Sequence, residues 1–317
     1  MSGGASFDSV GDMVAPTGEQ YEIEAAGYAA TITESGATLR LLSKDGRQVV
    51  DGFAEDQIPG ACRGQLLMPW PNRIRDGLYL FAGAEQQLAL SEPHTHNAIH
   101  GLVRWATWHV VSHTASRIEL GLRLMAQGGY PWTLDLGVVY ELGEDGLVVT
   151  QTATNLADGD APFASGAHPY FTLDNGEGVD GWTLDSPAAT RVLADERLLP
   201  AGSEPVEGTV YDFRGGRPLQ GVGMDTCFAD LARDADGIAT VTLSGTGPEG
   251  EVRAVELWQD AQHGWLMVYT ADNRTPARTS IALEPMTAAV DAFNSGEGLI
   301  VLATGETFRG VWGIRAR

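Results

Sequence analysis

Lysine is almost absent from this chain of 317 residues: Lys44 is the only one, and every other strong base is an arginine. Lys44 sits in a Lys-Asp-Gly turn, a poor place for the amine of a retro-aldol or pyridoxal-dependent mechanism. Cysteine is nearly as scarce. Cys62 and Cys227 cannot build a disulfide framework, and neither lies in a redox motif. Positive charge is short overall, with 20 Lys+Arg against 42 Asp+Glu and a formal net charge of −22. That excess repels phosphate backbones and anionic lipid, so neither a nucleic-acid nor a membrane partner is expected. No apolar run approaches the roughly 18 residues of a spanning helix. The opening Met-Ser-Gly-Gly-Ala-Ser-Phe-Asp has neither the basic nor the apolar stretch of a secretory leader, and a cytoplasmic location is expected. No G-x-S-x-G elbow, P-loop or dinucleotide fingerprint is read, so serine-hydrolase, NTPase and NAD-linked readings lack support.

What the chain does contain is short apolar segments and the residues that end them. Hydrophobic residues make up 43 %, enough for a sizeable core, and 40 Gly with 15 Pro punctuate them evenly. Strands are expected at Ile23 to Thr33 with a break at Gly27, and at Ala37 to Leu42, Arg47 to Phe53 and Gly77 to Phe81. A hairpin is expected from Thr107 to Met125. Leu134, Leu136, Val138 and Tyr140 alternate on one face, and Gly143-Glu-Asp-Gly146 turns that strand into a second one through Asn155. Further strands are read at Ile238 to Ser244, Val252 to Trp258, Trp265 to Thr270, Ser280 to Glu284 and Leu299 to Ala303. Asp174 to Arg217, rich in Asp, Gly and Pro, reads as surface loops. No amphipathic helix exceeds three turns. This spacing indicates an all-β sandwich or barrel. With no repeat or Ser/Pro-rich linker to divide it, residues 1–317 are read as one large domain.

Five of the seven histidines fall between His94 and His113. His94-Thr-His96 could present two metal ligands from one strand face, with His100 and Glu284 completing a cupin-like set. Pro93 and Asn97 equally allow a loop with ordinary histidines. His109 and His113 read as structural. His100, between Ile99 and Gly101, is either a packed core imidazole or one held close to a ligand. His168, in Gly-Ala-His-Pro-Tyr-Phe, is driven towards extended backbone by Pro169 and could exchange a proton near neutrality or simply pack in an aromatic corner. In Ser280-Ile-Ala-Leu-Glu284-Pro285, small residues flank the carboxylate on its face, and Pro285 reads as the end of the ladder. Asn72, Arg73 and Arg75 cluster before a strand, as hydroxyl-binding groups or as a charged loop. Met224-Asp225 adds a carboxylate in a loop, and Asp225 with Glu284 is the one pair weighed for glycoside hydrolysis.

Together these segments resemble the aldose 1-epimerase, or mutarotase, family. The matching residues are Asn72-Arg73-Ile74 with Gly77 and Phe81-Ala-Gly83, and Asn97-Ala-Ile-His100-Gly101 with Trp105. Ala167-His168-Pro169-Tyr170-Phe171, Met224-Asp225, and Glu284-Pro285-Met286 with Asn294 follow in order, from about Tyr21 to Trp312. Pro-Trp-Pro-Asn-Arg-Ile and His-Gly-Leu-Val-Arg resemble the bacterial branch. The resemblance implies a large antiparallel β-sandwich with an open sugar cleft on a concave sheet. It implies interconversion of the α and β anomers of a free hexose by ring opening. By that resemblance Glu284 is the general base, His168 the general acid and His100 a second histidine at the ring oxygen. Arg73, Asn72 and Asp225 bind sugar hydroxyls.

Two positions depart from the family pattern. Leu102 follows Gly101 where many members carry a second glycine, and Met267 stands where many carry a sugar-contacting Gln. With Arg75 and Arg104 close to the motifs, these departures keep open an epimerase for an anionic hexose, such as a 6-phosphate or a sulfonated sugar. A third reading is a carbohydrate-binding module that has lost the reaction. The expected partner is a small monosaccharide, and the chain is expected to be a monomer or homodimer. No metal and no cofactor is expected, so activity should survive exhaustive chelation.

Overall fold

The computed structural model describes residues 14–317, and nearly all of its regular structure is β-strand. Side-chain alternation accounts for the long strands. Along Leu134–Gly143, Leu134, Leu136, Val138, Tyr140 and Leu142 are buried, while Glu141 turns to solvent. The following turn sets the register of Gly146–Asn155 against it, from Gly143 opposite Gly146 to Leu134 opposite Asn155.

The largest sheet has nine strands. Gly146–Asn155 lies between Leu134–Gly143 and Thr307–Ala316. One side continues through Arg117–Leu124 to His109–His113. The other continues through Val252–Gln259, Ala239–Thr246 and Thr183–Asp185 to Arg217–Pro218. A six-stranded sheet runs Tyr170–Phe171, Ile281–Met286, Trp265–Tyr269, Asp225–Leu231, Ala188–Ala194, Pro200–Pro205. A third sheet is formed by Gln20–Ala25, Tyr28–Thr33, Leu39–Lys44 and Arg47–Gln48. Neighbouring strands are antiparallel throughout the two larger sheets. One apolar core joins them, drawing Val138 and Val149 from the nine-stranded sheet and Leu266, Val268, Ile281 and Leu283 from the six-stranded one. No helix among the described residues is long and apolar enough to cross a membrane.

The expected break at Gly27 is a hairpin turn, with Ala26 and Gly27 both in left-handed backbone. Other segments differ from the sequence reading. Pro285 does not end its strand: it pairs opposite Leu266, and its carbonyl accepts from the Ala167 N–H at 3.2 Å. Asp225 is not in a loop but starts the strand Asp225–Leu231. Asp174 to Arg217 is not all loop, since it supplies Ala188–Ala194 and Pro200–Pro205 to the six-stranded sheet. Their alternation is hard to see because the first strand is only half-buried and the second carries Pro, Gly and Ser. Thr307–Ala316 was not anticipated at all, although Phe308, Trp312 and Ile314 are buried there. Gly245 to Gly250 spells a glycine-rich Gly-x-Gly-x-x-Gly, but it closes the hairpin between Ala239–Thr246 and Val252–Gln259.

Trp312 connects this core to the segment that carries His168. Its indole N–H donates to Gln151 Oε1 at 3.2 Å, and the Gln151 amide donates to the Gly166 carbonyl at 3.2 Å. Trp312→Ala should therefore remove a buried ring and strand the Gln151 acceptor, costing about 3–5 kcal/mol. Trp105 is 53 % exposed, and Trp105→Ala should cost no more than about 0.5 kcal/mol. Urea denaturation of both variants checks the contrast; equal costs would refute it.

Candidate functional site

Strand register assembles the floor of a cleft. Along Ile281–Met286, Ile281 and Leu283 enter the core, so Ala282 and Glu284 take the opposite face. Met267 lies directly opposite Glu284, and Cys227 opposite Met267. In the next row, Ala282, Tyr269 and Asp225 line up the same way. Three adjacent strands thus present a carboxylate at either side of a thioether and a phenol.

A wall rises beside this floor. Arg73–Arg75 pairs with Asn97–Ile99, and just outside that ladder Asn72 and His100 both adopt left-handed backbone, with φ of +52° and +61°. The His100 N–H donates to the Asn72 carbonyl at 2.9 Å, and the Asn72 N–H donates to His100 Nδ1 at 3.1 Å. Because Nδ1 accepts, the neutral ring carries its proton on Nε2. Gly101 follows at φ +69°, where a Cβ would meet the Met68 carbonyl oxygen at 2.0 Å. That close approach, not a ligand, is what demands glycine there.

His168 is held by backbone bonds on both sides: its N–H donates to the Gln65 carbonyl at 3.0 Å, and its carbonyl accepts from Gly64 at 2.9 Å. The ring stacks on Tyr170 at 5.1 Å and meets His100 edge-on at 5.3 Å. Its Nε2 lies 3.2 Å from Glu284 Oε1, with both side chains buried. His168 Nδ1 and Glu284 Oε2 are buried with no protein partner.

The cleft, of about 340 Å³, is lined by all six residues to which the family resemblance gives a role: Asn72, Arg73, His100, His168, Asp225 and Glu284. Arg104 also lines it, donating to Cys62 Sγ at 3.0 Å and to the Ile99 carbonyl at 3.3 Å. Arg75 does not; it lies 3.6 Å from Asp291. His94 and His96 belong to a turn rather than a strand face. His94 is exposed at the rim, 3.9 Å from Glu92, while His96 contacts Asp76 at 2.8 Å. His100, His168 and Glu284 bring one possible ligand atom each within 4.8 Å of one another, with His168 and Glu284 in direct contact.

Burial governs the charge states. It pushes the Glu284 carboxyl well above its usual range, reinforced by Asp225 and opposed by Arg73. Burial also raises the Asp225 carboxyl, where Arg73 opposes and Glu92 adds to the rise. The His168 imidazole falls to about 3 through burial and the nearby guanidinium groups of Arg104, Arg274 and Arg63. His100 is driven well below the usual imidazole range by burial, then by His168, Arg104 and Arg73. Burial therefore favours the neutral form of both histidines and of the Glu284 carboxyl that His168 contacts.

The sequence reading overlooked Glu92, Tyr269 and Asn273, which also line the cleft. Glu92 had no visible signal, because its partner Arg73 lies 19 residues away. Tyr269 could have been found from its two-residue spacing to Met267.

With this geometry in place, the chain was compared with known proteins, and the aldose 1-epimerase family model matches residues 19–315. The chain belongs to the aldose 1-epimerase family. Its enzymes are isomerases, and this epimerase is one of them. It is 32 % identical over 294 residues to YihR, an uncharacterized protein of Escherichia coli K12, covering 92 % of each chain. Among solved structures it resembles a GalM/aldose epimerase homologue from C. elegans, with a TM-score of 0.83 at 21 % identity, covering 94 % of this chain and 98 % of that one. Galactose 1-epimerase from Lactobacillus acidophilus gives a TM-score of 0.76 at 22 % identity, covering 92 % of each. These structural likenesses establish the mutarotase-like β fold of the epimerase.

Gly101→Ala tests how firmly the wall holds His100. Left-handed backbone alone costs a residue with a Cβ about 1–2 kcal/mol, and the Met68 contact adds to it. The expected result is a lower urea midpoint together with at least a tenfold loss of epimerase activity. An active variant with unchanged stability would mean that the His100–Asn72 clasp is not required.

Proposed function

We propose that this epimerase interconverts the anomers of a free hexose, with Glu284 as base and His168 as acid. The observation that carries the reading is the buried 3.2 Å contact between His168 Nε2 and Glu284 Oε1 on the floor of a polar cleft. The two reacting oxygens of a pyranose, the C1 hydroxyl and the ring oxygen, share one carbon, so an acid and a base in contact suit them. Glu284 takes the proton of the C1 hydroxyl while His168 protonates the ring oxygen. The C1–O5 bond breaks as the C1 carbonyl forms, C1–C2 rotates, and ring closure on the other face returns both protons. His100, with its proton on Nε2, donates a hydrogen bond to the ring oxygen. Arg73, Asn72 and Asp225 hold the remaining hydroxyls.

The pair needs one proton in total, on His168 when the ring form reacts and on Glu284 after opening. Burial favours the uncharged arrangement, and the direct contact lets that proton return to His168 as the sugar enters. The two pH limits then belong to the pair. A second proton enters only well below the ordinary imidazole range, because His168 is held down to about 3. The single proton leaves only above the ordinary carboxylate range, because Glu284 is held up. The rate should therefore have a broad plateau, falling at low pH when Glu284 can no longer accept and at high pH when His168 can no longer donate.

Polarimetry on freshly dissolved α-D-glucose and α-D-galactose tests this directly. Glu284→Gln and His168→Asn should each lose at least about 10²-fold in turnover, because a positioned acid or base contributes about 10²–10⁴. The double variant should lose less than the product. Asp225→Asn and Arg73→Ala should act mainly through affinity. A Glu284→Gln enzyme with near-normal turnover beside an inactive Asp225→Asn enzyme would reassign the base.

One observation favours a second reading, an anionic hexose as substrate: Arg104 lines the cleft, and Arg274 sits over the adjoining Tyr170 ring at 5.4 Å. Competition between glucose and a hexose carrying a phosphate or sulfonate decides it. Equal or better turnover of glucose would dismiss the anionic substrate.

A further inference from the structure

Arg73 is held by one carboxylate and left open on one edge. Its Nε donates to Glu92 Oε2 at 2.7 Å and its Nη2 to Glu92 Oε1 at 2.9 Å, a two-bond fork between side chains that are both almost fully buried. Nη1 is the remaining edge, with Asn72 Oδ1 at 3.4 Å as its protein contact. Glu92 is itself clamped. The Thr95 hydroxyl donates to its Oε2, and the backbone of Glu92 exchanges bonds with Asn97 at 3.0 and 3.2 Å. Arg197 fastens this turn from the far side, donating to the Thr95 carbonyl at 3.0 Å and the His96 carbonyl at 2.9 Å.

Two further carboxylates on the floor, Asp225 and Glu284, line the same cleft as Arg73, and their charge acts on its guanidinium. Three acids therefore compete for one cation. Among the described residues Asp225 is in no side-chain ion pair, although the charge of Arg73 acts on it. An Arg73 released from Glu92 would swing to Asp225 and close a salt bridge across the floor, removing both groups from contact with a sugar at once.

We infer that Glu92 is a positioning residue: by occupying Nε and Nη2 of Arg73, it directs Nη1 into the cleft and keeps Asp225 unpaired, so that both can bind sugar hydroxyls. This rests on the hexose-binding reading above and deepens it. Glu92 touches no reacting atom, and its effect passes through Arg73. The residue types fit that task. A carboxylate matches two parallel guanidinium N–H groups, whereas an amide in its place would turn an N–H towards one of them.

The test compares Glu92→Gln and Glu92→Asp with the wild-type chain in mutarotation kinetics and in calorimetric binding of glucose and galactose. Glu92→Gln should raise KM and weaken binding by roughly tenfold, while kcat changes by no more than about threefold. Glu92→Asp keeps the charge on a shorter side chain and should restore part of the affinity. In a Glu92→Gln/Asp225→Asn double variant the losses should be less than additive, because Asp225 is no longer there to capture Arg73. The ¹⁵Nε–H resonance of Arg73, shifted and slow to exchange in the fork, should be lost in Glu92→Gln without any reference to turnover. If Glu92→Gln does not fold, Glu92→Asp carries the affinity test.

Unchanged affinity after loss of the Arg73 resonance would overturn the inference, as would a tenfold loss of kcat at constant KM. A wild-type chain that binds hexose but does not turn it over, with binding weakened by Glu92→Gln, would remove the mutarotase reading and leave this inference standing. A wild-type chain that neither binds nor turns over hexose would overturn both.

Discussion

The Glu284 carboxyl lies on a strand in which every residue is buried, with the Met267 thioether across the sheet and the His168 ring in contact. Removing that carboxyl from water makes its charged form costly. The same burial makes protonation of His168 costly, so neither group rests on its own in the charge state that the proposed reaction needs. The cleft is arranged around this shared difficulty. Backbone bonds on both sides fix His168, and cross-strand register fixes Glu284. Backbone bonds and register thus set the distance between them, which is what the proposed proton transfer would require.

The charge of the whole chain has little to do with the charge of the site. An excess of 22 negative charges gives a field that screening reduces within about 8 Å. Inside the cleft the balance is set by a few arginines. Arg73 faces the carboxylates, while Arg104, Arg63 and Arg274 lie on the histidine side. The cleft therefore carries carboxylates beside Arg73 and, on the histidine side, guanidinium groups that discourage protonated imidazole.

Much of this was legible in the sequence, and the exceptions have physical causes. Clean alternation in Leu134–Gly143 and the turn after it gave both strands and their pairing. His100, His168 and Glu284 stand out through glycine, proline or small neighbours, but those neighbours leave a packing role equally open, and it is the family resemblance that joins them with Arg73 into one site. Pro285 misled because a missing N–H ordinarily ends a ladder, yet here its carbonyl bonds to Ala167 instead. Ala188–Ala194 was hidden because a half-buried strand need not alternate. Glu92 could not be seen, since its meaning lies wholly in a partner brought to it by folding.

Met267 opposite Glu284 has a mechanical consequence of its own. Inverting an anomeric centre requires the aldehyde end of the opened sugar to turn over while the rest of the molecule stays gripped. A wall offering a strong hydrogen-bond donor at that point would anchor the carbonyl in one orientation and favour one face of closure. An unbranched thioether is soft, deformable and nearly without polarity. On the proposed mechanism it would give the turning group a surface to slide past, leaving the cleft stiff around the hydroxyls and compliant around the one bond that has to rotate.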